Sequence, residues 1–211
     1  MSSARHDRRA LIAGLGMAAT SATFGASRAD AQGGLAPFTP VRHEQDAWMS
    51  AMPGTHRVVL DVVSPTGVPD GIRFTGNLFT GNKTGYLVED AEMALIVVLR
   101  HSATAYGYND VIWSKYGKSL DAKATPPPVA NPFNSGERMQ LSGLATRGVQ
   151  FIICGTASRG LAGRLAGQGG DADAVLKEMS ANLIPNARIV SAGVVGVTHA
   201  QEHGFTYLYV G

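Results

Sequence analysis

Three apolar runs, each followed by a segment of different spacing, constrain this chain more than any other feature. They are Arg57-Val58-Val59-Leu60-Asp61-Val62-Val63, Ala94-Leu95-Ile96-Val97-Val98-Leu99 and Val149-Gln150-Phe151-Ile152-Ile153-Cys154. Runs without polar alternation suit strands buried on both faces, as in a parallel sheet. Two shorter runs, Ala187 to Ala192 and Phe205 to Val210, complete a set of five strands. Helical segments are expected over 71–84, 111–116 and 137–147, the last capped by Ser135 or Asn134 and stopped at Gly148. A further helix opens at Asp171 with Val175, Leu176, Met179 and Leu183 on one face, and another runs from Gly193 to His203 and closes at Gly204. Alternation of this kind predicts a three-layer α/β/α domain with a mainly parallel five-stranded sheet. It also puts the ligand site at the carboxyl ends of the strands.

The first 31 residues read differently. Arg5, Arg8 and Arg9 precede a mild apolar stretch from Ala10 to Phe24, and Ala29-Asp30-Ala31 follows as a cleavage signal. Adjacent arginines before a weakly apolar run fit the twin-arginine route, with an ordinary secretory signal as the other reading. The stretch is short of the roughly 20 strongly apolar residues that span a bilayer. The expected organisation is a signal peptide at 1–31, a leader at 32–55 and the α/β domain at 56–211. The product would be periplasmic or otherwise exported, with no membrane anchor after cleavage. In the leader, a short helix around Glu44 to Met52 would lay Trp48, Met49 and Met52 on an apolar surface.

Charge and cysteine content narrow the function classes. Setting aside Arg5, Arg8, Arg9 and Arg28 with Asp7 and Asp30, the 18 basic and 16 acidic residues of the chain become 14 of each. Nothing in that neutral balance suggests a nucleic-acid partner, which would need a basic face. Cys154 is the one cysteine, so no internal disulfide framework is expected. The Gly-rich stretch from Gly160 to Gly170 lacks a phosphate-loop pattern and reads as a flexible connection, and no G-x-S-x-G elbow is present.

At the expected carboxyl edge, Arg100-His101-Ser102 follows the second strand and Cys154-Gly155-Thr156 the third. Backbone N–H groups after Gly155 and the guanidinium of Arg159 would make that turn electropositive, a setting that favours a nucleophilic thiolate. The other reading makes Cys154 the last core residue of its strand. His101 is a base, an anion partner, a metal ligand or a strand-end residue satisfied by backbone. Tyr106, Tyr108 and Asn109, with the Pro-rich loop of 117–136, would wall the pocket. His199 and His203, four apart, read as a surface pair, and no metal or other cofactor is expected.

The stretches Gly148-Val149-Gln150-Phe151-Ile152-Ile153-Cys154-Gly155-Thr156-Ala157-Ser158-Arg159-Gly160, Ile189-Val190-Ser191-Ala192-Gly193-Val194-Val195 and Gln201-Glu202-His203-Gly204-Phe205-Thr206-Tyr207 resemble the DsrE/DsrF-like family of sulfur-relay proteins. Its members end a strand in a cysteine, carry an A-G-V segment after the next strand and close with Q-E-x-G-[YF]-x-Y. The resemblance implies the α/β/α fold, a homo-oligomer, and a sulfur-carrying role for Cys154. Arg100, His101, Tyr106, Asn109, Gly155, Thr156 and Arg159 would then bind a small sulfur-containing anion or meet a sulfur-donor protein. Where some relatives carry a second cysteine, Ala157 or Ser158 stands here. Two other readings need no reactive thiol: a small-ligand-binding protein using the same edge, and an oligomeric assembly unit.

Overall fold

A computed structural model describes residues 38–134 and 140–211. The signal-peptide reading of 1–31, and the cap at Ser135 with the helix start at Glu137, lie outside the described residues. Every element belongs to the unit Pro40–Gly211.

The five strands are β1 (His56–Val62), β2 (Met93–Leu99), β3 (Gln150–Cys154), β4 (Ala187–Val190) and β5 (Thr206–Val210). They form one sheet in the order β4-β3-β2-β1-β5, and every pairing is parallel. All five therefore end at the same edge. β2, central in the order, is buried at each of its seven residues, which accounts for its uninterrupted apolar run.

Among the described residues seven α-helices accompany the sheet: α1 (Ala47–Ala51), α2 (Gly67–Tyr86), α3 (Asp110–Leu120), α4 (Leu141–Thr146), α5 (Gly155–Ala166), α6 (Ala172–Ser180) and α7 (Gly193–Glu202). The chain steps in one direction from β1 to β4 and then returns across the sheet to β5. Right-handed crossovers place helices on one face for the outward steps and on the other for the return. The two cores follow that rule. Leu60, Val62, Leu95, Val97, Leu99, Phe151 and Ile153 pack with residues of α2 to α6, while Val59, Ala94, Ile96, Val98 and Ile152 pack with Val197 and Ala200 of α7.

The leader completes the second layer beside α7, and Met49 of α1 is fully buried there with Trp48 and Met52 packed around it. Arg57 holds α1 in place by donating Nη1 to Met49 O and Nη2 to Met52 O, both at 2.8 Å, at the helix end where carbonyls lack partners. His199 Nδ1 lies 2.6 Å from Asp46 Oδ2, and His203 Nδ1 lies 2.8 Å from Ser50 Oγ. The two histidines are thus not a free surface pair. Their one-turn spacing on α7 lets both grip the leader.

Four further expectations are corrected. Of the stretch from Gly160 to Gly170 read as a flexible connection, residues 160–166 belong to α5, because Ser158, Leu161, Ala162 and Leu165 repeat at helical spacing and pack inward. α2 begins at Gly67, four residues before Gly71, with Pro69 in its first turn, where a missing N–H costs nothing. α4 begins at Leu141 after Gln140 and has no side-chain cap. The Pro-rich loop starts after Leu120 and is tied down by Asn131, 3 % exposed, whose Nδ2 donates to Tyr106 O at 2.9 Å and Tyr108 O at 2.8 Å.

Candidate functional site

Cys154 closes β3 and caps the N-terminus of α5. Its Sγ accepts the N–H of Ala157 at 3.4 Å, and the residue is 8 % exposed. The turn beneath it is fixed by a short relay in which Tyr108 donates its hydroxyl to Ser158 and Ser158 Oγ donates to Cys154 O at 2.8 Å. Both Tyr108 and Ser158 are fully buried.

Gly155 is required by crowding. A Cβ there would stand 2.5 Å from Val190 O, because Cys154 pairs with Val190 in register and the chain turns into the helix directly against β4. On the exposed side of the turn, Thr156 Oγ1 donates to Ser191 O at 3.1 Å and Arg159 Nη2 lies 3.4 Å from Thr156 Oγ1. Among the described residues Arg159 has no carboxylate partner.

Arg100 stands on the other side of Cys154, with Gly193 between them. A Cβ at Gly193 would lie 2.5 Å from Arg100 Cβ and 3.2 Å from Cys154 Cβ. The Arg100 guanidinium turns to Asp61, Nε to Oδ1 at 2.6 Å and Nη2 to Oδ2 at 2.8 Å, and Tyr207 donates its hydroxyl to Asp61 Oδ2 at 2.9 Å. The hydrogen bond to Asp61 raises the Arg100 guanidinium above its ordinary range. Its charge is already balanced, so Arg159 is the cation left open at the cysteine turn.

His101 follows with φ +54°, a left-handed conformation uncommon outside glycine. It is exposed, and among the described residues its side chain makes no hydrogen bond. Tyr106 and Asn109 are used by the fold. Tyr106 is buried between Trp113 and Phe133, at 5.2 and 5.1 Å between ring centroids, and burial raises its hydroxyl. The Asn109 side chain caps α3 by accepting Val111 N–H at 3.0 Å. The structure therefore gathers Cys154, Gly155, Thr156, Arg159 and Arg100 at one edge, and leaves Tyr106 and Asn109 in supporting positions.

Asp61, Ser158, Gly193 and Tyr207 carry no site role in the sequence reading. Asp61 carried a usable signal: a lone carboxylate inside a β-branched strand needs a partner once buried. Among the described residues no group of three His, Cys, Asp or Glu side chains is placed to hold a metal, and no helix is long and apolar enough to cross a membrane.

No family model matches this chain, and no curated protein matches it. It is similar to a solved structure, the protein of unknown function MTH1491 from Methanobacterium thermoautotrophicum. The identity is 20 %, with 74 % of this chain and 99 % of that chain covered and a TM-score of 0.43.

Proposed function

We propose that Cys154 carries sulfane sulfur, and that the protein is an exported sulfur-relay member of the DsrE-like group, working as a homo-oligomer with a small sulfur anion or a sulfur-donor protein. One observation carries this reading: the thiol caps α5 and accepts a backbone N–H, with Arg159, which has no carboxylate partner among the described residues, on the same helix. A helix N-terminus and a guanidinium without a carboxylate both favour a bound anion, whether a thiolate, a persulfide or an incoming oxyanion.

The chemistry balances without a further reactant. The Cys154 thiolate attacks the outer sulfur of thiosulfate, the S–S bond breaks, and sulfite leaves with the electron pair, so that Cys–S⁻ and S–SO₃²⁻ become Cys–S–S⁻ and SO₃²⁻. Attack by an acceptor thiolate on the outer sulfur of the persulfide then returns Cys154 as thiolate.

The test is intact mass after brief exposure to polysulfide or thiosulfate, beside the Cys154→Ser protein. A gain of one sulfur on the wild type alone supports the carrier role. No gain, with the thiol also closed to alkylation in the folded protein, overturns it. The small-ligand-binding reading would then lead, since it makes no use of the thiol.

A further inference from the structure

Away from the thiol chemistry, a cleft of about 370 Å³ opens between the leader and the β4–α7 edge. His43, Asp46 and Trp48 line it on one side, and Arg188, Val195 and His199 on the other. β4 is an edge strand, so nothing further in the sheet covers Arg188.

Arg188 is the unusual member. Its guanidinium carbon sits 3.8 Å from the centroid of the Trp48 ring, and Nη2 donates to Gln150 Oε1 at 2.9 Å. Nε is buried without an acceptor, Nη1 makes no hydrogen bond, and no carboxylate pairs with the group among the described residues. Burial alone lowers it from its ordinary range, with no charged neighbour offsetting that effect. Two other part-buried arginines are balanced by carboxylates, Arg100 by Asp61 and Arg147 by Asp90, each through two hydrogen bonds, and Arg57 spends both terminal nitrogens on main-chain carbonyls. A guanidinium held over an indole, partly desolvated and without a carboxylate partner among the described residues, is built to receive one, because its planar fork matches a carboxylate in two bonds at once.

The remaining walls say what the rest of that anion looks like. Trp48 and Val195 offer an apolar slot. His199, also in the lining, is stacked on His43, centroids 5.4 Å apart and 18° from parallel, with Asp46 at its Nδ1. The volume suits a small molecule.

We propose that this cleft binds a small organic carboxylate. Arg188 takes the carboxylate, Trp48 and Val195 hold the apolar or flat body, and the His43–His199 stack forms a further wall. This site stands independently of the role of Cys154.

Benzoate is a suitable probe, with neutral benzamide and inorganic sulfate as comparisons, read by ligand-induced shifts of the Trp48 indole N–H and the His199 ring in NMR spectra of the Pro40–Gly211 unit within the full chain. Saturable benzoate binding that moves both signals is expected, with benzamide and sulfate each weaker by about tenfold or more. Arg188→Met should remove binding, and Arg188→Lys, which keeps the charge and loses the fork, should retain a weakened form. Both variants are compared at equal thermal midpoint and circular dichroism, and the wild-type signals stand alone if either fails to fold. The proposal is overturned by an absence of saturable benzoate shifts, by equal binding in Arg188→Met, or by sulfate matching benzoate.

Discussion

Arg100 and Asp61, 39 residues apart in the chain, meet through two hydrogen bonds of 2.6 and 2.8 Å at the carboxyl ends of neighbouring strands. The Asp61 side chain is 3 % exposed and the Arg100 side chain 25 %, so the pair is removed from most of the water that would screen it. Tyr207 of β5 supplies a third bond to the same carboxylate. One buried group thereby ties β1, β5 and the end of β2 together beside Cys154.

Removing one charge of such a pair leaves the other uncompensated. Asp61→Asn keeps the side-chain shape and is expected to cost about 3 kcal/mol of stability, read as a shift of the urea midpoint at unchanged slope. A change below about 0.5 kcal/mol, the range of ordinary surface substitutions, would show that the pair is open to solvent.

Much of the fold was legible because parallel strands announce themselves. β2, buried on both faces, leaves an unbroken apolar run, and β1 and β3 are nearly as plain. α5 was hidden for the opposite reason. Gly155, Gly160 and Gly163 weaken its intrinsic propensity, and the inward packing of Leu161 and Ala162 that overrides it is a tertiary fact. The same division holds at the site. Cys154, Thr156 and Arg159 share one turn and could be read locally, whereas the Arg100–Asp61 pair and the Gly193 approach depend on which strands are neighbours. Tyr106 resembled a pocket wall because its sequence neighbours are polar and small. Its actual neighbours, Trp113 and Phe133, come from later elements.

Asn131 holds the Pro-rich loop by bonding two main-chain carbonyls, and its Oδ1 accepts Phe133 N–H at 3.0 Å. Asn131→Ala strips those buried groups of partners and should cost about 2 kcal/mol. The loss should concentrate in hydrogen exchange over residues 121–134, sparing β2 and β3. Uniform loss across the sheet would mean that the loop is an integral part of the core.

Tyr108 makes stability fall at high pH. Burial pushes its hydroxyl up to about 12, while the hydrogen bond to Ser158 pulls the other way. The folded protein holds the proton more tightly than the unfolded chain, so the contribution is complete below the ordinary tyrosine value of about 10 and disappears as pH rises towards 12. Between about pH 8 and about pH 11 the loss should approach 1 to 2 kcal/mol from this residue. Tyr108→Phe should flatten that part of the profile, and an unchanged alkaline slope in the variant would assign it to other tyrosines.

The leader should loosen in acid. Burial lowers the His203 imidazole, and Arg42 adds to the effect, while Asp46 and Glu202 oppose it and His199 contributes a smaller lowering. A folded value below the ordinary histidine value of about 6.5 means that the neutral ring is the one that fits. Its stabilising contribution is complete above that value and is lost as pH falls below it, when the unfolded or undocked chain binds the proton first. His203 meets Ser50 directly, so the weakened element is the leader, and Met49 is the core residue that would be exposed. Hydrogen exchange over residues 44–52 should therefore accelerate between about pH 7.5 and about pH 5.5, after correction for intrinsic exchange, with β2 unaffected. His203→Gln retains a hydrogen-bonding side chain without the titration and should remove most of that acceleration. Equal acid sensitivity in the variant would show that His203 is not the group responsible.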